Sequence, residues 1–191
     1  MRRERITFFL IRLKGLLLAP GREWKVIRDE RPGGVPLFRD FIVLPCALLS
    51  LLVVLLRWAT GDFLSAIRWG LINFLACTVG CYITFRITKA LLAPDVKRSA
   101  TVLALVVYTF TVYLLFRSLS MGFPPRNFIG DLMTVLSLYA FYTLYTGLHA
   151  LTATTPAQAQ SSCFIIGLIA VSLPLILTHL LAILLRVPII I

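Results

Sequence analysis

Acidic residues are scarce in this chain: eight Asp and Glu stand against nineteen Lys and Arg, which gives a net charge of +11. No acidic residue lies deep within an apolar segment, which excludes a carboxylate proton relay across a membrane. The sequence also lacks a Gly-rich phosphate loop, an HExxH pair, a nucleophile elbow and a carboxylate pair. We therefore expect neither enzymatic activity nor a cofactor, and only His149 and His179 are candidates for chemistry on a lipid.

Cysteine is also rare and follows no pattern. Cys46, Cys77, Cys81 and Cys163 all fall in apolar segments, without CxxC spacing and without a neighbouring histidine cluster. Paired spacing is what a zinc site or a thioredoxin-like motif requires. We expect four free thiols inside a membrane and no metal site.

Apolar residues, by contrast, make up 59% of the chain, and its mean hydropathy is +0.93. Five segments approach the roughly twenty apolar residues that cross the hydrocarbon core of a bilayer. The predicted fold is all-α: a polytopic bundle of five transmembrane helices preceded by amphipathic interfacial helices. We divide the chain into a basic cytoplasmic segment, residues 1–40, and a transmembrane domain, residues 41–191. The predicted spans are residues 41–56, 69–92, 100–119, 132–151 and 162–185.

The basic residues are unevenly distributed between the two sides of this bundle. Residues 1–40 contain ten of them, the connection between the second and third spans adds four, and the opposite side receives five. Because positive residues resist translocation, this predicts a cytoplasmic N-terminus and a C-terminus on the other side. Charges spread between apolar runs indicate loops and lipid headgroups, so we expect no nucleic-acid partner. The charged residues near span ends are expected to snorkel to the interface: Arg57, Arg86, Lys89, Arg117, Asp131 and Arg186.

The stretch RLKGLLLAPGREWKVI, residues 12–27, is the most informative part of the basic segment. Residues 1–18 place an apolar arc between basic flanks on a helical projection, which is typical of a helix lying in the interface. A span here would put Arg12 and Lys14 at mid-membrane, at a cost of roughly 2.5–3.5 kcal/mol each. Pro20 can open a second short helix, on which Trp24 and Ile27 share a face that rests on the membrane or on the bundle. The residues predicted to contact lipid or a partner are Arg5, Arg12, Lys14, Arg22, Trp24 and Lys25.

Hydroxyl groups and two histidines supply the remaining polarity of the last three spans. Such groups either hydrogen-bond between helices or line a polar cavity for a small ligand or a lipid headgroup, and the sequence leaves both interpretations open. Gly80, Gly147 and Gly167 permit close helix approach, and Pro174 is expected to kink the fifth span. The candidate cavity residues are Tyr108, Thr111, Tyr139, Tyr142, Thr146, His149 and His179.

Three short motifs occur in a recognisable order: LLLAPGREWKVI at residues 16–27, YTFT at 108–111, and YTLYTGL at 142–148 followed by Thr155-Pro156. In this order they resemble the bacterial branch of the Yip1 family of polytopic membrane proteins, over nearly the whole chain. The resemblance implies five spans, a cytoplasmic N-terminus and the bacterial inner (cytoplasmic) membrane. The chain departs from the family pattern at Val112, where a proline is frequent, and at Gln158, where a lysine is frequent.

These observations predict a non-catalytic integral membrane protein that acts as a membrane-organising, scaffold or assembly factor. Its expected partners are the bilayer, with anionic lipids at the N-terminal segment, and a membrane-protein partner or a second copy of the chain. The alternative is a transporter or channel for a small solute or lipid, with a cavity lined by tyrosine and threonine.

Overall fold

The computed structural model describes residues 2–30, 34–92, 99–124, 127–152 and 156–187, with side chains from Thr7 in the first range and from Ala157 in the last. Within these ranges the chain is helical and contains no strand. Helices α3 to α7 are each long and apolar enough to cross a membrane, which confirms the all-α polytopic bundle. The helices are α1, Arg2–Leu18; α2, Pro20–Glu30; α3, Gly34–Trp58; α4, Phe63–Leu91; α5, Ser99–Gly122; α6, Phe128–Leu151; and α7, Pro156–Leu184.

Helix α3 is longer than the short first span predicted from hydropathy. It begins at Gly34, whose φ of +81° lies in the left-handed region that glycine adopts without steric cost. A π-helical turn at Arg39–Val43 then leads into the apolar part. Arg39 Nε donates to Asp40 Oδ1 at 2.8 Å, so the two charges compensate each other where the helix turns apolar. The predicted division between residues 40 and 41 therefore falls inside a continuous helix.

Helices α4 and α6 also begin before their predicted apolar runs, by six and four residues. Each has a polar residue that caps its first turn. Asp62 accepts a hydrogen bond from the Ser65 amide at 2.8 Å, and Asn127 accepts one from the Ile129 amide at 2.9 Å. Because such caps satisfy amides that lack a partner within the helix, the helices extend to them and past the apolar boundary.

Helix α5 lies at the centre of the bundle. It packs against α3, α4 and α6, and every residue from 104 to 114 is buried. Helix α7 packs against α4 and α6. The core is therefore built around the third span, with the other spans arranged about it.

Two glycines bring helices into close contact with α7, as predicted. A Cβ at Gly80 on α4 would lie 3.0 Å from the ring of Pro174, and a Cβ at Gly167 on α7 would overlap the ring of Phe141. The α7 helix continues through Pro174, with the proline ring packed in the space that Gly80 leaves. The glycines thus accommodate two rings that larger residues would displace.

Asn73 forms a polar cluster inside the bundle that the sequence did not reveal. The residue is fully buried, and its Nδ2 donates to Ser50 Oγ at 2.9 Å and to Ser118 Oγ at 3.0 Å. Cys77 Sγ lies 3.7 Å from Asn73 Oδ1. These contacts join α3, α4 and α5 through the interhelical hydrogen bonds that membrane interiors favour. All four cysteines are free and buried, as predicted.

Candidate functional site

Helices α1 and α2 form a hairpin, here called the cap, that is folded onto one end of the bundle. The second helix begins at Pro20, as predicted. Helix α1 packs against α5 and the π-helical turn of α3, and α2 packs against the last part of α6. Leu16, Trp24 and Ile27 belong to the same hydrophobic core as the spans. The described residues of the cap therefore share a hydrophobic core with the spans.

Trp24 anchors the cap to the bundle. It is 0% exposed, its Nε1 donates to the Thr143 carbonyl at 2.9 Å, and its ring meets that of Tyr108 edge-on at 6.0 Å. The expectation that Trp24 contacts lipid is wrong, because its whole side chain is covered by the spans. The face of α2 that carries Trp24 therefore rests on the bundle and not on the membrane.

Gly147 provides the space for the indole of Trp24. A Cβ at this position would lie 2.7 Å from Trp24 Cε2 and 2.8 Å from Leu105 Cδ1. Overpacking of this kind costs about 1–3 kcal/mol, and we expect Gly147→Ala to lower the free energy of unfolding by that amount, measured by denaturant unfolding in detergent. Gly21→Ala is the control, because a Cβ there meets nothing within 4 Å. Equal stability of the two variants would contradict this packing.

Tyr139 gives the cap a second attachment to α6. Its hydroxyl donates to the Leu17 carbonyl at 2.9 Å. That carbonyl belongs to the last turn of α1, where carbonyls have no partner within the helix. Tyr139, predicted to line a cavity, instead completes the end of α1.

Arg12 lies inside the cap, although it was predicted to contact lipid or a partner. It is 3% exposed, and its guanidinium donates to Glu23 Oε1 at 2.6 Å and to Glu30 Oε2. Burial lowers the pKa of Arg12, but the hydrogen bonds to Glu30 and Glu23, together with charge interactions with Tyr108 and Glu30, raise that pKa above its ordinary value. The guanidinium also lies over the rings of Phe8 and Tyr108, at 5.1 and 6.0 Å. The two carboxylates of α2, which the sequence did not single out, therefore draw this arginine inward.

The outer surface of the cap carries the other predicted contact residues. Lys14, Arg22 and Lys25 are exposed, and the side chain of Arg5 lies outside the described residues. Large apolar side chains of α1 are exposed beside them, at 45–74% of their surface. The exposed apolar residues are Phe8, Leu10, Ile11 and Leu18.

The predicted tyrosine and threonine stripe does not converge on one cavity. Thr111 donates to the carbonyls of Phe41 and Val107, and it borders an apolar groove of about 230 Å³ between α1, α3 and α5. Thr146 donates to carbonyls of its own helix. Tyr142 is 52% exposed, and Tyr108 is buried beneath the cap. The hydroxyls of Thr111 and Thr146 thus satisfy backbone carbonyls, whereas the buried Tyr108 hydroxyl has no hydrogen-bond partner among the described residues.

The two histidines lie far apart. His149 is exposed near the cap end of α6, with its ring edge-on to Tyr145 at 4.6 Å. His179 borders a cavity of about 190 Å³ at the opposite end of the bundle, here called the distal cavity. Arg57 and Arg117, expected only to snorkel, line the same cavity. Spacing along the chain did not indicate that the two arginines meet, because they lie on different helices.

The outer surface of the cap combines exposed apolar residues with exposed cations. Exposed apolar residues beside exposed cations are typical of an element that lies in a membrane interface. Within the described ranges, no group of three His, Cys, Asp or Glu residues is placed to hold a metal ion. No protein-family model, curated protein or solved structure matches this chain.

Proposed function

We propose that this chain is a non-catalytic, Yip1-like integral membrane protein that organises the membrane through lipid and protein contacts of its cap. One observation carries the proposal: the cap is fixed to the bundle by Trp24 and still presents apolar and cationic side chains outward. A structured surface of this kind suits a scaffold or assembly factor, because it holds its contact residues in a defined arrangement.

Anionic lipid is the partner that fits the cap surface best. The exposed apolar residues of α1 are stabilised when they leave water, by about 25 cal/mol for each Å² buried. Lys14 and Lys25 are exposed on α1 and α2, and each basic residue near an anionic surface adds about 1 kcal/mol. The two contributions act together only where water meets lipid.

The proposed orientation places the cap on the cytoplasmic side of the bacterial inner membrane. The ends of α3 and α4 next to the cap carry Arg39, Arg86 and Lys89, in addition to the cations of α1 and α2. The positive-inside rule favours the cytoplasm for the more basic side. The resemblance to the Yip1 family supports the same orientation.

The transporter alternative has less support. A path lined by tyrosine and threonine needs hydroxyls that face a common space, whereas Thr146 bonds to its own helix and Tyr139 holds α1. A protein or second copy bound at the cap is compatible with the lipid contacts, because the cap also exposes the polar surface of α2.

Hydrogen exchange of the full-length protein in nanodiscs tests the proposal. We expect amides of α1 and α2 to exchange more slowly in phosphatidylglycerol than in zwitterionic phosphatidylcholine. The difference should shrink in 1 M salt, where the screening length falls to about 3 Å. Lys14→Gln combined with Lys25→Gln should remove most of it.

The matched control removes two positive charges from the opposite end, by Arg68→Gln with Arg186→Gln. This variant should keep the full lipid dependence at the cap. Equal exchange in both lipids for the wild-type chain, or an equal loss in the two double variants, would contradict anionic lipid binding by the cap.

A further inference from the structure

The distal cavity gathers charged residues from the far ends of the spans. Arg57 is one residue from the end of α3, and Arg117 is five residues from the end of α5. Asp131 lies in the first turn of α6, and His179 lies five residues before the end of α7. The second turn of α4 contributes Trp69. Because all five positions lie within two turns of a helix end, the cavity lies at the level where the hydrocarbon core of a bilayer meets the headgroups.

Arg57 is held in a fixed position at the wall of this cavity. Its Nε donates to the Met121 carbonyl at 2.7 Å, and its guanidinium carbon lies 4.3 Å from the centre of the Trp69 ring. These two contacts use the Nε group and one face of the guanidinium. The terminal amino groups of Arg57 make no hydrogen bond to any described residue.

Arg117 adds a second cation to the wall of this cavity. Its Nε is buried and has no hydrogen-bond partner within the described part of the chain. Neither Arg117 nor Arg57 forms an ion pair with a described residue. A buried donor of a charged group that finds no partner is costly. The unpartnered Nε of Arg117 and the second cation, Arg57, on the same cavity wall indicate that an anion completes the site.

The charges around the cavity indicate which charge a bound anion carries. Among the described residues that line the cavity, two arginines stand against the one carboxylate of Asp131, which leaves an excess of one positive charge between them. The hydroxyls of Ser120 and Thr178 are already bonded, to Thr134 and to the Pro174 carbonyl. A phosphodiester carries one negative charge, and arginine binds phosphate oxygens through paired, charge-assisted hydrogen bonds.

We propose that the distal cavity binds a phosphate group through Arg57 and Arg117. Its volume of about 190 Å³ is smaller than the roughly 300–1,000 Å³ of sites that enclose whole ligands. It therefore takes a headgroup phosphate, with the acyl chains outside the cavity, or a free phosphate ion. This site lies at the opposite end of the bundle from the cap, so it does not depend on the function proposed above.

Lipid and phosphate binding by the purified full-length protein tests this inference. Native mass spectrometry measures the affinity for phosphatidylglycerol, with phosphatidylcholine for comparison, and thermal unfolding measures stabilisation by inorganic phosphate. Charged hydrogen bonds are worth about 1.5–3 kcal/mol, so Arg117→Gln and Arg57→Gln should each weaken the binding about tenfold or more. Arg117→Lys should keep part of the affinity. Arg68→Gln, which removes a charge at the same end but outside the cavity, should bind as the wild type does.

Each outcome has a defined meaning. Phosphatidylglycerol binding that depends on the arginines supports a headgroup site, and arginine-dependent stabilisation by inorganic phosphate alone supports a free ion. Wild-type affinity in Arg117→Gln, or equal losses in Arg117→Gln and Arg68→Gln, would overturn the proposal. Because Arg57 also holds the Met121 carbonyl, Arg117→Gln decides the outcome if the Arg57 variant does not fold.

Discussion

Replacing Trp24 with alanine is expected to release the cap and to lower the free energy of unfolding by about 3–5 kcal/mol. The indole is fully buried between the cap and α6, next to Gly147 and Tyr108, so truncation leaves a cavity at the contact that holds α2 in place. Denaturant unfolding in detergent measures the stability. Faster hydrogen exchange confined to α1 and α2 would show that the cap has separated while the spans stay folded.

Two variants separate the contributions of Trp24. Trp24→Phe keeps an aromatic ring and loses the Nε1 bond to the Thr143 carbonyl. It should therefore lower the free energy of unfolding by about 1 kcal/mol for the lost bond, and by a further amount for the packing contacts that the smaller ring does not make. Trp58→Ala is the matched control, because Trp58 is 54% exposed at the far end of α3. If the Trp24 and Trp58 alanine variants were equally stable, Trp24 would not be the anchor of the cap.

Arg12→Ala is the second change with a large expected effect. Removing one partner of a buried ion pair costs about 3–5 kcal/mol, because the remaining charge stays buried and uncompensated. The change leaves two carboxylates without Arg12. The side chain of Glu23 is the more buried of the two, at 17% exposed, whereas that of Glu30 is 42% exposed. We expect the loss in the free energy of unfolding to come mainly from Glu23. Arg12→Lys keeps the charge but cannot bridge both carboxylates with one planar group, and it should be intermediate.

A double-mutant cycle isolates the Arg12 interaction. Adding Glu23→Gln to Arg12→Ala should cost less than the sum of the two single changes, by more than about 1 kcal/mol, since contacting residues couple. Arg22→Ala, at an exposed position on α2, should change the stability by less than about 0.5 kcal/mol. Additive effects of the Arg12 and Glu23 changes would mean that their contact stabilises nothing.

The spans and the start of α2 were predictable because they depend on local patterns. Long apolar runs define α3 to α7 whatever surrounds them, and a proline marks the beginning of α2. The early starts of α4 and α6 were missed, because the caps Asp62 and Asn127 lie outside the apolar runs from which the spans were drawn. Hydropathy identifies the apolar run of a span. A capping residue lets the helix begin outside that run.

The fate of individual polar residues was not predictable in the same way. A helical projection assigns Arg12 to the polar flank of α1, but its partners lie 11 and 18 residues away on α2. The regular spacing of Tyr139 and Tyr142 fits a cavity wall and a cap attachment equally well. Asn73 has no serine beside it in its own apolar segment, and only the folded chain brings Ser50 and Ser118 to it. These outcomes depend on tertiary contacts that spacing does not encode.

The docking of Trp24 on α6 also determines when the cap can form during synthesis. Trp24 and Thr143 are 119 residues apart, and Leu17 and Tyr139 are 122 apart. At a ribosomal rate of about 5–20 residues per second, the acceptor helix follows the indole by roughly 6–24 s. During that interval the indole has no α6 to pack against, and its docking becomes available only after the fourth span has been made. Closure of the cap is thus a late step in the biogenesis of this protein, although the cap is translated before the spans.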